Sequence, residues 1–113
     1  MLIRSQSKIF LVKFENIVVS INNLNSKEII CWSQMSSRED EYISLGYYST
    51  AAKATKVLDM IQEAYADEKL ADYTVYSQQK EIEKMDNSTI LALRNELMKK
   101  AVFQMPEDSE VEV

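Results

Sequence analysis

The first candidate site in this sequence is a short acidic and aromatic stretch near its middle. Glu39, Asp40 and Glu41 follow one another and lead directly into Tyr42, with Tyr48 a little further on. Carboxylates can imitate phosphates and tyrosine rings can imitate bases, so this turn could occupy a basic nucleic-acid-binding groove on another protein. The plainer alternative is a solvated polar loop.

The sequence lacks the residues that most other kinds of functional site require. The chain has no histidine, one cysteine (Cys31) and one glycine (Gly46). Without histidine there is no Ser-His-Asp or Cys-His arrangement and no histidine-based zinc site. One glycine cannot form a phosphate-binding loop, which needs several at fixed offsets. We therefore expect no enzyme, no metal site and no cofactor.

The formal charge of −5 is concentrated at one end of the chain. Residues 106–113 hold four acidic side chains and no basic one, which predicts a flexible acidic tail after a single domain at 1–105. The remainder is almost neutral. Since binding to nucleic acid needs clustered Lys and Arg, direct nucleic-acid binding is not expected.

Targeting signals are not apparent either. No apolar run approaches the roughly 20 residues that span a bilayer, so no membrane association is expected. The first residues do not read as a signal peptide, and the chain has a single cysteine. A reducing cytoplasm is the compartment that these features predict.

The first half of the chain alternates like a β-sheet. Apolar residues recur with period two, which predicts short strands at 9–12, 17–21, 29–32 and 42–48. The segments between them are rich in Asn and Ser, which favour turns, so these strands should pair as an antiparallel meander.

The period changes at Tyr48. Ser49 or Thr50 can cap a helix over about 50–67, whose apolar stripe is Ala51, Ala54, Leu58, Ile61 and Tyr65. This stripe should pack across the meander. The sequence therefore predicts an α+β fold: an N-terminal antiparallel β-meander packed by a helix.

The second half is less regular. Residues 67–86 read equally as a short strand with a linker or as a continued helix. A second helix is predicted at about 88–101, as a C-terminal helical extension whose apolar face packs on the core or pairs with its copy in a homodimer. Residues 102–105 either extend that helix or form a last strand.

Four segments resemble small phage and prophage accessory proteins of Gram-positive bacteria. They are LIRSQ at 2–6, GYYST at 46–50, ATKVLDMI at 54–61 and FQMPED at 103–108. The resemblance implies a virus-encoded protein made in the cytoplasm of a bacterial host cell, where many such small chains disable a host protein. It supplies no catalytic residues.

The function expected from these observations is binding. The chain holds one tryptophan and six tyrosines, and such residues are enriched at interfaces. The candidate partner-binding residues are Glu39, Asp40, Glu41, Tyr42, Tyr48, Tyr73 and Tyr76. We expect a phage-derived, non-enzymatic protein that acts by surface occlusion to inhibit a host protein, such as an antiviral defence factor. The alternatives are a small-ligand sponge for an anionic nucleotide signal and a structural or regulatory phage component.

Overall fold

A computed structural model describes residues 1–35 and 41–113 of the chain. The elements in chain order are β1 (Leu2–Arg4), β2 (Leu11–Lys13), β3 (Ile17–Asn22), β4 (Asn25–Ser33), β5 (Ile43–Tyr47), α1 (Ala51–Ser77), α2 (Gln79–Ile82), α3 (Asn87–Ala101) and β6 (Val102–Gln104). Short 3-10 turns follow β2 and β6. The predicted fold class is confirmed.

The antiparallel meander has the strand order β3-β4-β5. Val19 lies opposite Cys31, and Cys31 lies opposite Ile43, so all three side chains share the inner face. Val18 and Trp32 are opposite each other on the outer face. The period-two pattern of the sequence is thus preserved in β3 and β4.

Helix α1 covers the inner face. Thr50 caps it, its side-chain oxygen accepting a hydrogen bond from the backbone N–H of Lys53 at 3.1 Å. Its buried residues, Ala54, Val57 and Ile61, join the sheet residues in one hydrophobic core. The helix continues past residue 67 to Ser77, because no glycine or proline interrupts it.

The first predicted strand belongs to a second sheet rather than to the meander. That sheet has the order β2-β1-β6, with β1 antiparallel to β2 and parallel to β6. A 3-10 turn over Phe14–Asn16 separates β2 from β3 and prevents a hairpin between them. Residues 102–104 form a strand, which resolves one alternative that the sequence left open.

The last eight residues are not a solvated tail, and here the structure corrects the sequence-based expectation. Pro106 and Val111 are buried, and a 3-10 turn forms at Asp108–Glu110. Asp108 accepts a hydrogen bond from the backbone N–H of Ser49 at 2.7 Å and pairs with Lys53 at 3.4 Å. The bond from Ser49, with the Lys53 cation beside it, lowers the pKa of Asp108. The acidic residues therefore fix this segment to the start of α1.

Two valines of this segment test its docking. Val111 is 3% exposed and Val113 is 77% exposed. We expect Val111→Ala to lower the free energy of unfolding by about 2 kcal/mol, because two buried methyl groups are lost and a cavity remains. Val113→Ala should leave it unchanged. Urea denaturation measures the free energy of unfolding of both variants. If neither substitution lowered it, the segment would be a solvated tail after all.

Candidate protein-binding surface

The C-terminal half of α1, α2 and α3 form a helical arm, defined as residues 66–101. Asp86 caps α3 by accepting a hydrogen bond from the backbone N–H of Thr89 at 2.7 Å. Helix α3 then returns along α1 toward the sheets. Across residues 66–101, all of which the structure describes, no side chain is buried. The arm thus has no sealed core of its own.

The contact between α1 and α3 is apolar but narrow. Val75, Leu93 and Leu97 are half-buried along this contact, and they line grooves on both of its sides. One groove, of about 320 Å³, also includes Leu70 and Thr74. The other, also of about 320 Å³, adds these residues: Ile82, Ile90, Arg94, Met98 and Ala101. Two helices alone cannot cover this much apolar surface.

The predicted tyrosines lie on the outer surface of this arm. Tyr73 is 69% exposed and Tyr76 is 79% exposed, and neighbouring Leu70 is also largely exposed. Their spacing of three residues places them next to one another along α1. Exposed Leu91 and Met98 add apolar surface on α3. Leu70 was not among the predicted binding residues, although its apolar side chain at three residues from Tyr73 is a signal that could have found it.

A second aromatic surface lies on the outer face of the meander. Trp32 and Tyr42 line a groove of about 390 Å³ there, together with Ile30 and the exposed Leu24. Tyr42 is therefore accessible, and its role in binding stays a prediction. The predicted residues Glu39 and Asp40 lie outside the described residues, and Glu41, next to Tyr42, is exposed. The residues of this surface all precede those of the arm in the sequence.

Tyr48 is not available to a partner, contrary to its choice as a binding residue. It is 3% exposed, and its hydroxyl donates a hydrogen bond to the carbonyl oxygen of Pro106 at 2.8 Å. A bulge explains the difference: Ile29 pairs with Gly46 and Ile30 with Ser44, which leaves Leu45 as an extra residue. The residues after it change faces, so Tyr48 points into the core.

The position of Gly46 follows from that packing. A Cβ at this position would lie 3.2 Å from the Tyr48 hydroxyl and 3.3 Å from its ring. Burial, together with the nearby carboxylates of Glu107, Asp108 and Glu110, raises the pKa of Tyr48. The only glycine in the chain thus makes room for a structural tyrosine.

A pocket for an anionic nucleotide would need basic side chains, and the candidates that the sequence offers are Arg4, Lys8, Lys13, Lys53 and Lys56. Arg4 donates to the backbone carbonyl of Lys8 at 3.4 Å, and Lys53 pairs with Asp108. Neither lines the grooves of the arm or of the sheet, and the same holds for Lys13 and Lys56. The small-ligand alternative stays a prediction, since other basic residues, Lys100 and Arg94, line the grooves of the arm.

Cys31 lies in the core under α1, where it is almost fully buried. Burial raises the pKa of its thiol to about 11, which keeps it protonated at neutral pH. Within residues 1–35 and 41–113, no group of three or more metal-ligating side chains comes together.

The chain was compared with known proteins at three levels. No protein-family model, no curated protein sequence and no solved structure matches it. In the part of the chain that the structure describes, no helix has the length and apolar character needed to cross a membrane.

Thiol labelling tests the position of Cys31. At pH 8 we expect alkylation of the folded protein to be at least about a hundredfold slower than that of the urea-unfolded chain, because the thiolate fraction falls with the raised pKa and the core excludes the reagent. Mass spectrometry of the alkylated product follows the rate. Comparable rates in the two states would show that Cys31 is accessible and reactive.

Proposed function

We propose that this chain is a non-enzymatic binding protein that inhibits a host protein by occluding its surface, and that the helical arm makes the contact. One observation carries the proposal: Leu70, Tyr73 and Tyr76 form a run of largely exposed apolar and aromatic side chains on α1. Exposed apolar patches of this kind mark interaction sites in proteins that are otherwise well packed.

Tyrosine is suited to this role because its ring offers a large, rigid area and its hydroxyl a polar tip. Burying the rings of Tyr73 and Tyr76 would remove on the order of 200 Å² of apolar surface from water. At about 25 cal/mol per Å², this contributes roughly 5 kcal/mol before the entropy of association is subtracted. Met98 and the grooves beside the two rings add surface that can adapt to a partner.

The identity of the partner as a host protein rests on the resemblance of four segments to phage and prophage accessory proteins. Such a protein would act in the bacterial cytoplasm, and a defence factor is a natural target for it. The acidic turn at 39–41, with exposed Tyr42 beside it, stays a prediction as the alternative to the arm. The arm has the stronger support, because Leu70, Tyr73 and Tyr76 all lie in the described residues of one helix, α1.

Substitution of the arm tyrosines tests the proposal. The protein is used to capture its partner from a lysate of a Gram-positive host, and the partner is identified by mass spectrometry and purified. We expect Tyr73→Ala with Tyr76→Ala to weaken binding at least about thirtyfold, because each ring that acts as a hot spot contributes about 2 kcal/mol or more. Isothermal titration calorimetry gives the dissociation constants.

Tyr42→Ala is the matched control, since it removes an exposed tyrosine from the sheet surface instead. We expect it to change binding by less than threefold. Wild-type affinity in the double variant, with loss of affinity in Tyr42→Ala, would move the contact to the sheet. A rise in melting temperature with cyclic nucleotides, without any captured protein, would favour the ligand sponge instead.

A further inference from the structure

Among residues 1–35 and 41–113, strand β3 is an edge of the meander, since β4 is the one strand that pairs with it there. The backbone N–H of Gln34 donates to the carbonyl of Asn16 at 3.1 Å, so Asn16 and Gln34 form a hydrogen-bonded pair between the two chain segments. Because these bonds alternate along an antiparallel pair, Val18 and Ser20 bond to β4. The backbone groups of Ile17, Val19 and Ile21 therefore point away from β4. The N–H of Ile17 already donates to the carbonyl of Phe14, and the side chains of Gln34 and Ser20 donate to the carbonyls of Ile17 and Ile21, so Val19 and the N–H of Ile21 are the groups that a further strand would meet.

This edge lacks the usual protection against pairing with another strand. Natural edge strands carry Lys, Pro, inward-pointing charges or bulges that twist them away. Residues 16–26, which include all of β3 and its turn, contain no charged side chain and no proline. The one irregularity lies at its end, between Ile21 and Asn22. Four of the five residues 17–21 are β-branched and apolar, a composition that favours strand pairing.

A groove runs beside the same edge on the helix side. It measures about 280 Å³ and lies between β3 and α1, where Phe14, Ile17, Val19, Leu58, Ile61 and Gln62 line it. On α1, the helical spacing places Ala51 and Thr55 on the same side as Leu58 and Gln62. This stripe is uncharged, whereas the charged residues of this part of α1 lie on its other sides: Lys53, Lys56, Asp59 and Glu63. The uncharged surface thus continues from the strand onto the helix.

We infer that this edge binds a second copy of the chain, by antiparallel pairing of β3 with β3 across a two-fold axis at Val19. Such pairing places Ile17 opposite Ile21 of the partner and lets Val19 exchange both backbone hydrogen bonds with its copy, while the N–H of Ile21 meets the carbonyl of Ile17. The N–H of Ile17 stays bonded to Phe14 within its own chain. No charged side chain meets a like charge, because residues 16–26 have none. The two grooves would face each other below the new strand pair, bringing both uncharged α1 stripes together. Depletion of charge is what the centre of a protein interface shows.

The inference places a dimer contact at the sheet, separate from the arm of the proposed function. Six-residue strands and two short stripes form a small interface, so we expect association in the micromolar range. Sedimentation equilibrium of the full chain, from about 1 µM to about 1 mM, should therefore show a reversible monomer–dimer equilibrium.

Charged substitutions locate the contact. Val18→Lys adds a cation beside the edge, and Gln62→Lys adds one at the exposed rim of the groove. We expect each to weaken association at least tenfold, because each introduces a pair of like charges across the two-fold axis. Ala52→Lys is the matched control: it adds one exposed charge to another side of α1 and should change association by less than twofold. Circular dichroism confirms that the variants are folded.

Amide hydrogen exchange gives a second readout that does not depend on substitution. The N–H groups of Val19 and Ile21 should gain protection as the protein concentration rises, whereas Val18 and Ser20 should be protected throughout. Tyr73→Ala with Tyr76→Ala should dimerise like the wild type, so this test can fail independently of the proposed function. A monomer at every concentration would overturn the inference. So would a dimer that Val18→Lys and Gln62→Lys leave intact but Leu91→Lys on α3 disrupts, since the copies would then meet through the arm.

Discussion

The parallel pairing of β1 with β6 is the constraint on which the rest of the structure depends. Leu2 is opposite Val102 and Arg4 is opposite Gln104, so the two ends of the chain lie side by side in one sheet. A parallel pair needs a long connection, and here the connection is nearly the whole protein. The meander, α1 and the arm must all fit between these two strands. The segment after β6 then reinforces the closure through Asp108 and the Tyr48 hydrogen bond.

This closure also explains the arm. Helix α1 carries the chain beyond the sheets to Ser77, and the chain must return to β1 by Val102. A second helix antiparallel to the first is the direct route back. The arm is therefore an excursion whose two ends are fixed by the body, so it needs little core of its own. Its stability can rest on caps such as Asp86 and on the contact of Val75 with Leu93 and Leu97. Side chains that the arm does not bury remain exposed for binding.

Local patterns predicted most of the elements, and the misses have long-range causes. The α1 stripe and its Thr50 cap are encoded within a few residues, so the helix was predictable and only its length was underestimated. Strand β1 spans three residues and exists because β2 and β6 pair with it, which no local period reveals. The acidic residues after Pro106 look solvated until Ser49 and Lys53 are seen beside them.

The candidate binding residues show the same contrast between local patterns and long-range pairing. Tyr73 and Tyr76 are candidate contact residues because their segment lacks a clear apolar period, and both are exposed; their role in binding stays a prediction. Tyr48 was misassigned because the bulge at Leu45 reverses the alternation of the strand, and this bulge depends on the pairing with β4. A strand edge such as β3 is likewise visible only once the strand order is known. The sequence alone shows that β3 is uncharged, but such a run is equally typical of a buried central strand.

The β3 edge and the helical arm differ in the kind of interaction that they offer, and together they suggest a single arrangement of the dimer. The β3 edge offers backbone hydrogen bonds with a fixed register, which suits a symmetric copy, whereas the arm offers side-chain surface that can adapt to another protein. A two-fold axis perpendicular to the sheet reverses every direction within the sheet plane, and α1 lies across that sheet. The two arms of a dimer would therefore project in opposite directions. Each could engage a separate copy of the target, so binding to an oligomeric target would gain avidity only if its sites lay far enough apart for both arms to reach.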